Sequence, residues 1–167
     1  MKLISHRANL NGPDETRENQ VWAIEECIAK GYLVEVDFWL VNGRFYLSHD
    51  VPTEEDRIDE DFLYDNLLNL LIHCKNREAI SLMEVWDVQH DGCANWFTND
   101  TDRWSLTSKK NVISYCKKEE IVPYSIVIMP EHHNITKEDL KNLDIWGVCT
   151  DFVDQYSNRH SYEIKIL

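Results

Sequence analysis

The chain has 167 residues, enough for one domain with a sizeable core, and no internal repeat or low-complexity linker divides it, so residues 1–167 read as a single domain. An apolar content of 43% with 6 Trp and 7 Tyr excludes a disordered tail. A net charge of −13 argues against nucleic acid or an anionic membrane as partner, since either requires a basic face; it leaves a phosphate ligand open, because a bound cation and a few basic side chains reverse the local sign.

In chain order, residues 2–5 form a short apolar strand ending at His6. Residues 16–30 read as a helix with Val21, Ile24 and Ile28 on one face and Gly31 at the C-terminal cap position. Residues 33–41 read as a strand, Asn42-Gly43 as a hairpin turn, and 44–48 as the returning strand. Residues 51–61 are an acidic, solvated loop. An apolar strand over 67–74 precedes a helix over 77–88. Short strands then follow closely, at 94–98, 104–107, 112–115 and 125–129. A helix over 137–143 and a strand over 146–150 complete the series. The strand–helix–strand order implies parallel pairing and about eight strands in a closed sheet. The expected fold is α/β: a small (β/α)8-type barrel with several outer helices reduced or missing.

The five cysteines are odd in number, widely spaced and without a CxxC pair. They read as buried thiols of a reducing compartment, and the expected location is cytoplasmic. No stretch reads as a secretion signal or as an apolar run of membrane-spanning length, so no integral membrane contact is expected.

Strand alternation puts Glu35 and Asp37 on one face, with Val34, Val36 and Phe38 on the other. Two buried carboxylates side by side need a cation between them, or one must be protonated; oxygen donors of this kind suit Mg²⁺ or Ca²⁺. The plainer reading of an isolated E-x-D is a solvent-facing strand edge. His73 and Lys75 repeat the geometry at the end of the next apolar strand, where a lysine can hold a phosphate oxygen. His6 and His49 can form an acid–base pair, although a single histidine at a strand end is more often structural. His132-His133 suggests a metal, but adjacent residues diverge on an extended chain, and no role is assigned to them.

Ser5-His6-Arg7-Ala8-Asn9, Glu18-Asn19, Gly31, Glu35-Val36-Asp37 and Leu47-Ser48-His49-Asp50 resemble, in order and spacing, the glycerophosphodiester phosphodiesterase family of phospholipase C-like TIM-barrel phosphodiesterases. The match is specific over residues 3–50. Beyond it, Ile72-His73-Cys74-Lys75-Asn76, Leu106-Thr107-Ser108-Lys109, Ile128-Met129-Pro130-Glu131 and Gly147-Val148-Cys149-Thr150-Asp151 resemble the later strands of a compact branch. The resemblance implies His6 and His49 as general base and general acid. It implies Arg7 and Lys75 as contacts to the phosphate of a small phosphodiester substrate, and Glu35 and Asp37 as ligands of a divalent cation, Mg²⁺ or Ca²⁺. Glu18 and Asn19 would support the site.

Three positions depart from the family pattern. Ala8 replaces a glycine, Gln20 replaces a threonine, and His73 stands where a third carboxylate ligand belongs. Imidazole there favours a softer ion than Ca²⁺. The implied activity is metal-dependent hydrolysis of a glycerophosphodiester-like substrate. Two other classes compete with it: a barrel that binds phosphodiesters or phosphosugars with little or no turnover, and a phospholipase D-like phosphotransfer on a lipid.

Overall fold

The computed structural model describes residues 1–99 and 102–157. Among these the chain builds a mixed α/β fold with a ten-stranded sheet and five helices. The strands are β1 (Lys2–His6), β2 (Leu33–Val41), β3 (Arg44–Leu47), β4 (Arg57–Ile58), β5 (Leu70–Cys74), β6 (Asn95–Phe97), β7 (Trp104–Leu106), β8 (Val112–Ser114), β9 (Ile126–Ile128) and β10 (Gly147–Thr150). Seven of them run parallel in the order β6-β5-β2-β1-β10-β9-β8. β7 is antiparallel at the β8 edge, while β3 and β4 fold back on the C-terminal half of β2.

The β2–β3 hairpin follows from its turn residues. Asn42 and Gly43 both have positive φ, at 51° and 74°, as a type I′ turn demands.

Alternation along the strands separates two apolar layers. The outer face of β2 (Val34, Val36, Phe38) packs under α1 (Val21–Ala29) and α3 (Arg77–Gln89), which contribute Ile24, Cys27, Met83 and Trp86. Burying each large side chain of this set is worth roughly 1.5–3 kcal/mol. α4 (Lys137–Lys141) places Leu140 against Val127 and Val148 on another outer stretch. The inner face gathers Ile4, Leu71, Phe97, Ile113, Ile126 and Cys149 into one buried cluster. Phe97 on β6 and Ile113 on β8 come from opposite ends of the parallel order, so the sheet curls strongly. No strand ladder joins those ends among the described residues. The loop after β7 reaches across instead: the Ser108 N–H donates to the Trp96 carbonyl at 2.8 Å.

The structure departs from the sequence reading in having ten strands where about eight were expected and no closing ladder among the described residues, and in several local elements. α1 begins at Val21, five residues late, because residues 15–19 are turns and Asn19 has φ 60°. The acidic loop contains β4, and its last residues open a short helix, α2 (Glu60–Asp65), whose Leu63, just past the expected loop, is fully buried. The first three residues of the expected 67–74 strand form a 3₁₀ turn, and β5 starts at Leu70. A last short helix, α5 (Val153–Tyr156), went unpredicted because four residues are too few for a helical period to register.

Asp154 ties α5 to two other segments, the loop at Asn11 and the α1–β2 connection. It accepts from Tyr32 Oη at 2.8 Å, from Asn11 Nδ2 at 3.2 Å and from Lys30 Nζ at 3.4 Å. Burial opposes its ionisation, but these donors outweigh burial and lower its pKa. A carboxylate with a depressed folded pKa stabilises the fold above its unfolded value, about 4, and loses that contribution as pH falls through the folded value. Asp154→Asn is therefore expected to cost about 1 kcal/mol at pH 7 in urea unfolding and progressively less below pH 4. A difference that stays constant down to pH 2.5 would show that the charge is not what matters.

Candidate functional site

The parallel strands all end on one side, and the chemistry-bearing residues sit there because of register. β1 pairs with β2 so that His6 lies beside Glu35. β2 pairs with β5 so that Asp37 lies beside His73. Ser5 stands opposite Thr150 of β10, which brings Asp151 next to His6. β3 returns His49 to the same end, where the Ser48 N–H donates to the Asp37 carbonyl at 3.0 Å. A cavity of about 400 Å³ opens there, lined by His6, Arg7, Glu18, Glu35, His49, His73, Lys75 and Asp151 among others. Its volume suits a small organic ligand.

At the centre are Glu35 and Asp37, 2% and 0% exposed. Their environments differ sharply. Asp37 Oδ2 accepts from Asn19 Nδ2 at 3.1 Å and lies 2.8 Å from Arg7 Nε as an ion pair without hydrogen-bond alignment. Asp37 Oδ1 faces His73 Nδ1 at 3.1 Å and Lys75 Nζ at 3.7 Å. Burial opposes ionisation of Asp37, but His73 and Arg7 prevail and hold its pKa well below the usual carboxylate range. Glu35 has no such company. Its Oε1 is 3.8 Å from His73 Nδ1, its Oε2 is 3.9 Å from His6 Nε2, and Oε2 has no hydrogen-bond partner among the described residues. Burial and the Asp37 charge push the Glu35 pKa up.

Donor atoms of Glu35, Asp37 and His73 all lie within 4.8 Å of one another. Two carboxylates, one imidazole and an orphaned buried oxygen fit a divalent cation, which would satisfy Glu35 and offset the repulsion between the pair.

Asn19 does more than flank the site. β1 ends at His6, so the Asp37 N–H has no strand partner on that side. The Asn19 side chain replaces it, with Oδ1 accepting from that N–H at 3.0 Å while Nδ2 donates to the Asp37 carboxylate. Glu18 accepts from Asn9 Nδ2 at 2.9 Å and from Arg7 Nη1 at 3.4 Å. Arg7 and Ala8 both adopt left-handed backbone, φ 51° and 68°, which turns the chain back over the strand ends. At the buried Ala8 this conformation costs about 1 kcal/mol relative to the glycine that the resemblance leads one to expect.

His6 is held by a residue that the sequence reading left without a role. Its Nδ1 lies 2.8 Å from Asp151 Oδ1, which also accepts from Asn9 Nδ2 at 2.8 Å. A carboxylate only accepts, so Nδ1 carries the hydrogen and Nε2 points toward Glu35. Burial disfavours the imidazolium, yet Asp151 and Glu35 outweigh it, and the His6 pKa is raised. Glu131 braces Asp151 by accepting from its N–H at 3.1 Å and from Thr150 Oγ1 at 2.9 Å.

His49 differs from His6. Its side chain is half exposed, and its Nδ1 lies 3.1 Å from Asp50 Oδ1. The facing wall of the cavity, Phe97, Ile113, Ile128, Met129, Tyr115 and His132, is largely apolar. His132, which the sequence reading set aside, contacts Tyr115 Oη through Nδ1 at 3.1 Å. Asp151 carried a positional signal, since Thr150-Asp151 closes an apolar strand just as His6-Arg7 does.

Comparison of the chain with protein families, with curated proteins and with solved structures yields no match.

Proposed function

We propose that this chain is a divalent-cation-dependent phosphodiesterase acting on a small, glycerophosphodiester-like substrate, on a reduced (β/α)8-type barrel. The observation that carries the reading is Glu35, a buried carboxylate with an unsatisfied oxygen, flanked by two imidazoles at the C-terminal end of seven parallel strands. Parallel α/β barrels carry their sites at that end. The single inner cluster linking β6 to β8 and the Ser108–Trp96 hydrogen bond support the barrel.

A bound cation would polarise the phosphodiester and neutralise developing charge. The residues do the rest. Glu35, Asp37 and His73 would hold the ion. Arg7 and Lys75, which lie on Asp37 at the same mouth, would contact the non-bridging oxygens. His6, fixed through Nδ1, exchanges its proton at Nε2. His49, on the half-exposed rim, exchanges the other proton with solvent or with the alcohol. One imidazole deprotonates the nucleophile and the other protonates the leaving oxygen.

A second reading, phosphodiester binding without turnover, draws on the engagement of Arg7 and Lys75 by Asp37. Phospholipase D-like transfer gains no comparable support, and no helix among the described residues is long and apolar enough to cross a membrane.

The test is a panel of glycerol phosphodiesters assayed with EDTA and with Mg²⁺, Ca²⁺ and Mn²⁺. Turnover is expected only with a cation. Tight binding with no turnover under any cation or pH would replace the enzyme reading with the binding one.

A further inference from the structure

We propose that the Glu35–Asp37–His73 cluster takes a first-row transition ion, such as Mn²⁺ or Co²⁺, in preference to Mg²⁺ or Ca²⁺, with His73 as its nitrogen ligand. The inference rests on reading the cluster as a cation site, and it concerns which ion that site selects.

Three observations carry it. First, the nitrogen is already directed at both carboxylates. His73 Nδ1 lies 3.1 Å from Asp37 Oδ1 and 3.8 Å from Glu35 Oε1. Ligands about 2.1 Å from a shared small ion stand about 3.0–3.4 Å apart, so the nitrogen needs only a small adjustment toward either carboxylate. The ion replaces the hydrogen that Nδ1 now shares with Asp37.

Second, the ring is not free to leave. It stacks flat on Phe97, with centroids 4.6 Å apart and planes 9° apart, and its side chain is 11% exposed. An ion seated between Nδ1 and the two carboxylates therefore meets the ring nitrogen, and water takes that vertex only if the stack breaks. Mg²⁺ asks for six oxygens in near-ideal octahedral order and Ca²⁺ for six to eight. Here the buried vertex is nitrogen by construction.

Third, two basic side chains compete with a hard ion for the Asp37 charge. Arg7 and Lys75 lie on Asp37 at 2.8 and 3.7 Å. They offset part of the charge on the carboxylates, so donor chemistry contributes to affinity as well as charge. Imidazole binds Mn²⁺, Co²⁺ and Zn²⁺ and adds little for Mg²⁺ or Ca²⁺.

Any nitrogen–oxygen site binds Co²⁺ more tightly than Mg²⁺. The informative quantity is therefore how the preference depends on residue 73. Metal-free wild type, His73→Gln and His73→Glu should be titrated by calorimetry with Mn²⁺ and Mg²⁺, with circular dichroism to confirm folding. Pulsed EPR of the Mn²⁺ complexes should look for the nitrogen modulation of a directly bound imidazole. The expected result is strong modulation in wild type, its loss in His73→Gln, and Mn²⁺ affinity lowered about tenfold or more in that variant. His73→Glu restores a third carboxylate and should narrow the Mn²⁺/Mg²⁺ ratio by about tenfold.

Wild-type Mn²⁺ without nitrogen modulation would overturn the proposal, and this needs no variant to fold. So would modulation that persists in His73→Gln, which would assign the nitrogen to another ring such as His6. An Mn²⁺/Mg²⁺ ratio unchanged in His73→Glu counts against it equally. In any of these cases phosphodiester turnover supported by Mg²⁺ would leave the functional reading intact, whereas no binding of any ion would end both.

Discussion

Replacing His6 with alanine is expected to lower kcat/KM for a glycerol phosphodiester by about a hundredfold or more, the usual worth of a positioned proton transfer. The magnitude follows from how tightly the ring is held. Asp151 fixes Nδ1 at 2.8 Å, Asn9 fixes Asp151 at 2.8 Å, and proton exchange is left to Nε2. Asp151→Asn should reproduce part of the loss with the ring still in place, because the amide no longer dictates which nitrogen carries the hydrogen. The His6 pKa is raised, so in the metal-free protein the pair stabilises the fold fully below about pH 6.5 and loses that contribution as pH rises through the folded value. His49→Ala should also be slow. A nitrophenyl phosphodiester needs little protonation of its leaving group, so it should rescue whichever variant lacks the general acid and leave the other impaired. Equal rescue of both variants, or of neither, would exclude the two-histidine scheme.

Glu35→Gln should abolish cation-dependent turnover and leave the metal-free protein at least as stable as wild type. A buried carboxylate with an unpartnered oxygen beside Asp37 is a liability until a cation arrives. Because its folded pKa is raised, wild type loses stability as pH climbs from about 4.3 to that folded value, and the glutamine variant does not. Its advantage in melting temperature should therefore widen as pH rises above about 4.3. Saturating cation reverses the order: wild type gains about 2.7 kcal/mol at a hundred times Kd, or roughly 5–10 °C at this chain length, and the variant gains nothing. A variant that melts lower than wild type in EDTA, or that shifts equally with cation, would remove Glu35 from the site.

Local pattern made the central frame of the molecule legible. The bounds of β2, the Asn42-Gly43 turn and the separation of Glu35 and Asp37 from Val34, Val36 and Phe38 all follow from short-range rules, and the structure has them. The same rules say which face a side chain takes but not what lies across the sheet. Glu35 beside His6 and Asp37 beside His73 are matters of register between strands far apart in sequence, and alternation is blind to register. Asp151 illustrates the gap, since its partner His6 is 145 residues away. The short helices α2 and α5 escaped for a different reason: each is held by tertiary contacts and not by a helical repeat. Arg7 was read as a phosphate ligand and is found on Asp37, an engagement visible only once the left-handed turn at Arg7-Ala8 is known.

β2 joins β1 and β5 along its first half and the β3 hairpin along its second, and its outer residues Val34, Val36 and Phe38 are fully buried. The carboxylates thus ride on the strand least able to open locally. Amide hydrogens along β2 should exchange with solvent only when the whole molecule unfolds, while those of the short edge strand β7 exchange through small fluctuations. Mild denaturant should then loosen the β7 edge while Glu35 and Asp37 stay in place until the whole fold gives way.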